Sequence, residues 1–272
     1  MTLPPMARSN ALSGAWPRLS DGDDDSWRAG SINVMLYFPH HRAPESDASP
    51  VPSPQDRKPY HTHRGGNFEL IVLDSGHYCR TPNSCLEEND QTAWLQKTLT
   101  ATEAPVRLVT YHVPLFPMVG NWNSEEADPR WHDKHKKEEA GRQAFVPLFD
   151  QHHVTAAFEN HLHSAKRTVP LRAGAGVADG STETGTVYFG DGNWGISYAP
   201  EDGNNGMTAM AAVRERELPM VEASDHIDLL AYYDVSFHVW VGRLGGRWAN
   251  FSAVSDMGHT LDASAIEVPE SL

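Results

Sequence analysis

His161 and His163 stand two apart in FENHLHSAKRTVPL, the stretch Phe158–Leu171. Alternate side chains of an extended strand share a face, so such a pair can grip one metal ion or two adjacent ones. The chain holds 15 histidines in 272 residues. At that content a His-x-His pair also arises by chance, and a second one, His61-Thr62-His63, does occur. That second pair precedes an apolar run and is not read as metal-binding. His161 and His163 gain weight only if other donors converge on them.

The elements around them supply that convergence. Phe68–Leu73 (FELIVL), Val106–Tyr111 (VRLVTY) and Val154–Phe158 (VTAAF) are short apolar runs of strand length. The first runs into Asp74-Ser75-Gly76-His77, the second into His112-Val113-Pro114-Leu115, the third into Asn160 to His163. A helix is expected from Asn89 or Asp90 to about Thr100, burying Trp94, Leu95 and Leu99. Another is expected from about Glu138 to Asp150, with Ala140, Ala144, Phe145, Leu148 and Phe149 on one side and a kink or break at Pro147. Strand, helix, strand in alternation predicts βαβ units, and ligands of such sheets bind outside the strands' C-terminal ends. A fourth strand, Thr186–Phe189, runs into Gly190-Asp191-Gly192-Asn193. Asp191 and Asn193 read either as contacts that support a site there or as turn formers in a glycine-rich bend. His77 reads as an extra ligand or substrate contact, or as an ordinary loop histidine.

The remaining segments are less specific. Ser31–Phe38 suits a short strand, and residues 117–137 a polar insertion containing Trp122, Trp131, His132 and His135. The glycine-rich stretch from Gly174 to Gly185 lacks the Gly-x-x-x-x-Gly-Lys-Ser/Thr pattern of a phosphate-cradling loop. Tyr233–Val241 and Trp248–Val254 look like strands joined through Gly245-Gly246, and the last fourteen or so residues look like a tail. Organisation is therefore read as a mostly disordered or extended segment 1–59, a folded portion 60–265 and a tail 266–272.

A net charge of −14 argues against a nucleic-acid surface, which needs clustered Lys and Arg. Lys134, Lys136 and Lys137 read as a solvated helix face. No apolar run is long enough to span a bilayer, and no secretory signal is visible near Met1, so neither compartment nor oligomeric state is assigned. Cys79 and Cys85 could close a small disulfide loop or remain two thiols.

The order LDSG, then Gln91 with Trp94-Leu95, then YHVPLFP, FENHLHSAKRTVPL and GTVYFGDGNWG resembles the calcineurin-like metallophosphoesterases, most of all their purple-acid-phosphatase-like branch. The resemblance covers about Tyr60 to Ala265. In that family one strand ends in a metal-binding histidine followed closely by proline, as in His112-Val113-Pro114. Another ends in Gly-His-x-His followed by a basic segment, which His161 and His163 match with Lys166 and Arg167 behind. The resemblance implies an α/β (α+β) fold, part of a four-layer α/β/β/α sandwich. It also implies metal ligation by His112, His161 and His163, with divalent or trivalent iron, zinc or manganese as cofactor and a phosphate ester as substrate. His77, Asp191 and Asn193 are candidates for supporting or substrate contacts, and no catalytic residue is assigned.

Two departures qualify this. Asn160 stands where the family motif has glycine. The family's first half carries Asp-x-His, Gly-Asp-x-x-Tyr and Gly-Asn-His-Asp/Glu segments, which hold the first metal, and none of them is found ahead of the matching region here. The sequence therefore resembles the C-terminal portion of such a catalytic domain, lacking its N-terminal strands. Metal binding could accordingly be weak or absent, and the alternative is an inactive, truncated relative serving as a binding or structural module. A mononuclear metal-binding β protein is a third reading, and the alternating helices and strands count against it.

Overall fold

The computed structural model describes residues 60–75, 90–118, 129–160, 165–177, 184–190, 226–234 and 236–268. Strands β1 (His61–Gly65) and β2 (Phe68–Val72) form a hairpin; helix α1 (Asp90–Ala101) leads to β3 (Val106–Tyr111). Helix α2 (Pro129–Gln151) leads to β4 (Ala156–Glu159), followed by β5 (Ala165–Thr168) and the two-residue strands β6 (Leu171–Arg172) and β7 (Ala175–Gly176). Then come β8 (Val187–Gly190), a 3-10 turn (Ile227–Leu229), β9 (Leu230–Asp234), β10 (His238–Gly245), β11 (Trp248–Ser255) and β12 (Thr260–Glu267).

Among the described residues, the larger sheet has seven strands in the order β1-β2-β3-β4-β8-β5-β9. Its centre, β2-β3-β4-β8, is parallel throughout. A parallel centre needs cover on both faces, and the strand sequences provide for it. Val109 and Tyr111 of β3, Ala157 of β4 and Tyr188 of β8 join Leu95 and Leu99 of α1 and Phe145 and Phe149 of α2 in one core. Their strand neighbours Val106, Leu108, Ala156, Val187 and Phe189 face the other way, onto Ala249 and Phe251 of β11. The second sheet is the antiparallel β10-β11-β12. Helices, mixed sheet and second sheet thus form three successive layers, a mixed α/β architecture consistent with part of an α/β/β/α sandwich.

The strand cores and α1 fall where the apolar runs place them. Three local expectations need correction, and two strands go unannounced in the sequence. Helix α2 begins at Pro129, inside the segment read as a polar insertion, and runs through Pro147 to Gln151. Proline suits a helix start because its absent N–H is unpaired there anyway. In the interior it removes one hydrogen bond, and burial of Phe145, Val146 and Phe149 around Pro147 holds the helix together. The stretch Tyr233–Val241 is not one strand: β9 edges the large sheet and β10 starts the second. The hairpin between β10 and β11 does turn at the glycine pair, with Gly246 at φ +56 where an L side chain would be strained. The supposed tail contains β12, an eight-residue strand in register with β11. Last, β1 and β5 have too few apolar residues to announce themselves and exist through pairing with their neighbours.

No helix among the described residues is long and apolar enough to cross a membrane. Ser31–Phe38, Cys79 and Cys85 lie outside the described residues, as does all of 1–59.

Candidate functional site

The parallel strands β2, β3, β4 and β8 end together, at Val72, Tyr111, Glu159 and Gly190. The segments singled out for chemistry therefore all leave the sheet at one edge. Strand β8 lies between β4 and β5, the two strands that residues 161–164 connect. Because β1 runs antiparallel to β2, His61 pairs with Val72 and stands at the same edge. It is buried, with its ring centroid 4.8 Å from that of His63.

The segment after β3 is held from every side. His112 is exposed, while residues 113–118 are buried. The Val113 N–H donates to Ser75 Oγ at 2.6 Å and the Leu115 N–H to Glu159 Oε1 at 2.7 Å. The Leu115 carbonyl accepts from Arg142 of α2 at 2.6 Å, and the Phe116 carbonyl accepts from Lys166 Nζ. A Cβ on Gly141 would meet Leu115 Cδ2 at 2.6 Å, so glycine lets α2 approach the segment. That freedom costs about 1 kcal/mol of helix propensity. Upstream, Gln91 of α1 exchanges two 2.8 Å hydrogen bonds with the backbone of Asp74.

Glu159 is the centre of this arrangement. It is 1% exposed and pairs with Lys166, which is 2% exposed. Its Oε1 accepts from both Leu115 N–H and Tyr111 Oη, the latter at 2.8 Å. Burial, and then the charge of Glu159, push the Tyr111 hydroxyl well above its usual pKa. The phenol is therefore kept neutral as a donor.

Asn160 acquires a reason at the position where the family motif has glycine. Its side-chain Nδ2 donates to the Tyr111 carbonyl at 2.9 Å, and its backbone N–H donates to the His112 carbonyl at 3.1 Å. Glycine could make only the backbone bond. The chain entering His161 is thereby tied to the residue that carries the His112 imidazole. At the end of β8, the Gly190 carbonyl accepts from the Trp240 indole N–H at 2.9 Å, with a His238 ring nitrogen 3.3 Å away. The second sheet thus fixes the residue that precedes Asp191.

Of the sequence candidates, His112 stands at this edge, and His77, His161, His163, Asp191 and Asn193 lie outside the described residues. Among the described residues no group of three or more His, Cys, Asp or Glu side chains could hold a metal ion. Lys166 and Arg167, read as a basic segment behind the histidines, both have structural partners: Lys166 meets Glu159, and Arg167 forms a two-pronged pair with Asp262 of β12 at 2.6 and 3.0 Å. The supporting roles of Ser75, Tyr111, Glu159 and Lys166 were not foreseen. The one available signal was Glu159 itself, an acid closing an apolar strand, where burial demands a partner.

No family model and no curated protein matches the sequence. Solved structures do match in shape. The chain is similar to a purple acid phosphatase, PPD1, from yellow lupin (Lupinus luteus) seeds, with TM-score 0.56 and 15% identity over 80% of this chain. Weaker likenesses, both with TM-score 0.46, are to PhoD (11% identity, 90% of this chain and 51% of that one) and to GAP50, the anchor in the inner membrane complex of Plasmodium (9% identity, 78% and 54%). The chain spans 34% of the lupin structure. What these residues share with that structure is the fold.

Proposed function

We propose that this chain is the C-terminal portion of a calcineurin-like metallophosphoesterase of the purple-acid-phosphatase-like branch, hydrolysing phosphate esters at a dinuclear metal centre. The observation that carries this reading is the single edge where β2, β3, β4 and β8 end, with an exposed His112 tied to Asn160 immediately before His161 and His163. That placement fits a transition metal: imidazole donors suit iron, zinc and manganese, and the backbone of His112 is anchored by the Asn160 N–H. His112, His161 and His163 would hold the metal. Bound there, it would lower the pKa of a coordinated water and polarise phosphate oxygens. His77, Asp191 and Asn193 are assigned to supporting or substrate contacts, for which their strand-end positions suit them.

A second reading rests on a specific observation. The sequence contains no Gly-Asp-x-x-Tyr or Gly-Asn-His-Asp/Glu segment to complete a two-metal site, and its two Asp-x-His triplets, Asp133-Lys134-His135 and Asp150-Gln151-His152, fall in or at the end of helix α2. On that reading the chain is a non-catalytic relative that binds or scaffolds. The two are separated by metal analysis and hydrolysis of p-nitrophenyl phosphate with iron, zinc or manganese supplied. Stoichiometric metal with turnover, both abolished by His112→Ala and by His161→Ala, supports the enzyme. Metal uptake without turnover supports the second reading. No metal uptake by the wild-type chain overturns the metal assignment.

A further inference from the structure

We propose that Glu159 is a positioning residue: paired with Lys166, it holds the segment 112–116 in one arrangement before any metal arrives, and so sets the His112 imidazole. As an inference about metal affinity this rests on the reading of His112 as a ligand. As an inference about the segment it stands on the hydrogen bonds alone.

Three observations carry it. First, Glu159 Oε1 is shared between the Leu115 N–H at 2.7 Å and Tyr111 Oη at 2.8 Å, while Oε2 takes Lys166. Both carboxylate oxygens are thus occupied by protein donors, so the carboxylate is a frame member rather than a spare ligand. Second, Lys166 also donates to the Phe116 carbonyl, so the cation grips the same segment one residue further on. Two peptide groups flanking the Leu115–Phe116 bond are held, one by each member of the ion pair. Third, the two members come from β4 and β5, which flank β8 and lead into and out of residues 161–164. One pair therefore links the segment after β3 to both strands that bracket the His-x-His stretch. A buried ion pair adds little net stability compared with a well-packed apolar pair. Fixing a backbone that carries a ligand is a use for one, since outer partners of metal ligands typically govern 10–100-fold in affinity.

The test compares Glu159→Ala, Glu159→Gln and the volume-conserving double variant Glu159→Leu/Lys166→Met with Asp262→Ala, a control on the neighbouring ion pair. Hydrogen exchange is read on the full metal-free chain across residues 111–118, and zinc or manganese affinity by titration calorimetry. Glu159→Ala and the double variant should speed exchange of the Leu115 amide at least tenfold while β3 and β8 stay protected. Glu159→Gln, which keeps an acceptor for Leu115, should fall between. Asp262→Ala should leave residues 111–118 unchanged. Wild-type metal affinity should fall roughly 10–100-fold in the first two variants. If Glu159→Ala fails to fold, the double variant decides. Unchanged exchange at Leu115 in a folded variant overturns the proposal. Faster exchange with unchanged metal affinity overturns its extension to His112. If the wild type takes up no metal, the functional reading fails and the exchange measurement alone decides the positioning role.

Discussion

Lys166 and Arg167 are adjacent cations on β5, and strand alternation sends them to opposite faces of the same sheet. Lys166 turns to the helix-covered face, where it is 2% exposed beside Glu159. Arg167 turns to the second sheet and meets Asp262, at 18% and 11% exposure. The two residues resemble one another in sequence and differ in their surroundings. For Lys166, removing the partner strands a charge where water cannot reach it. For Arg167, some solvent remains, and the planar guanidinium is matched to both carboxylate oxygens. The inner pair thus fixes a backbone segment, and the outer pair fixes the second sheet to the first.

The comparison can be broken by substitution. The largest effect is expected from Glu159→Ala, which should lower stability by about 3–5 kcal/mol because it leaves Lys166 buried without its carboxylate. Urea unfolding measures it, and a loss no greater than that of Asp262→Ala would erase the distinction between the two pairs. The outer pair is probed by a double-mutant cycle, Arg167→Ala with Asp262→Ala. A coupling of about 1–2 kcal/mol is expected, diminishing in high salt because the pair is partly exposed. Tyr111→Phe should have the smallest effect near neutral pH, about 1 kcal/mol for one lost hydrogen bond. It sharpens the picture at high pH. The folded-state pKa of Tyr111 is raised by burial and by Glu159, so its contribution is fully present below the unfolded value of about 10 and is lost as pH rises beyond it. Stability of Tyr111→Phe should therefore decline less steeply above pH ~10 than that of the wild type.

Much of the fold was legible. FELIVL, VRLVTY and VTAAF are apolar and β-branched because central parallel strands are covered on both faces, and that composition marks them without any neighbour. The helix at Asp90–Ala101 followed from its capping position and the spacing of Trp94, Leu95 and Leu99. Strands β5 and β12 escaped notice because AKRT and TLDASAIE hold few strand-forming apolar residues. Their partners make them strands. Pro147 does not end its helix for a related reason: local propensity argues for a break, and aromatic packing on either side of it overrides that preference.

The sequence by itself determined that histidine-bearing segments follow apolar strands, and that His112, His161 and His163 are the residues to watch. Spacing along a chain is enough for that, since a strand's direction sets where its end residue emerges. Only the tertiary structure decided what holds those segments. The union of Glu159 with Tyr111, Leu115 and Lys166 joins β3, β4 and β5 across β8, and the two-pronged bond from Arg167 reaches 95 residues along the chain to Asp262. Such partners are chosen by burial, which leaves a charged group no solvent to turn to, and burial exists only once the layers have closed.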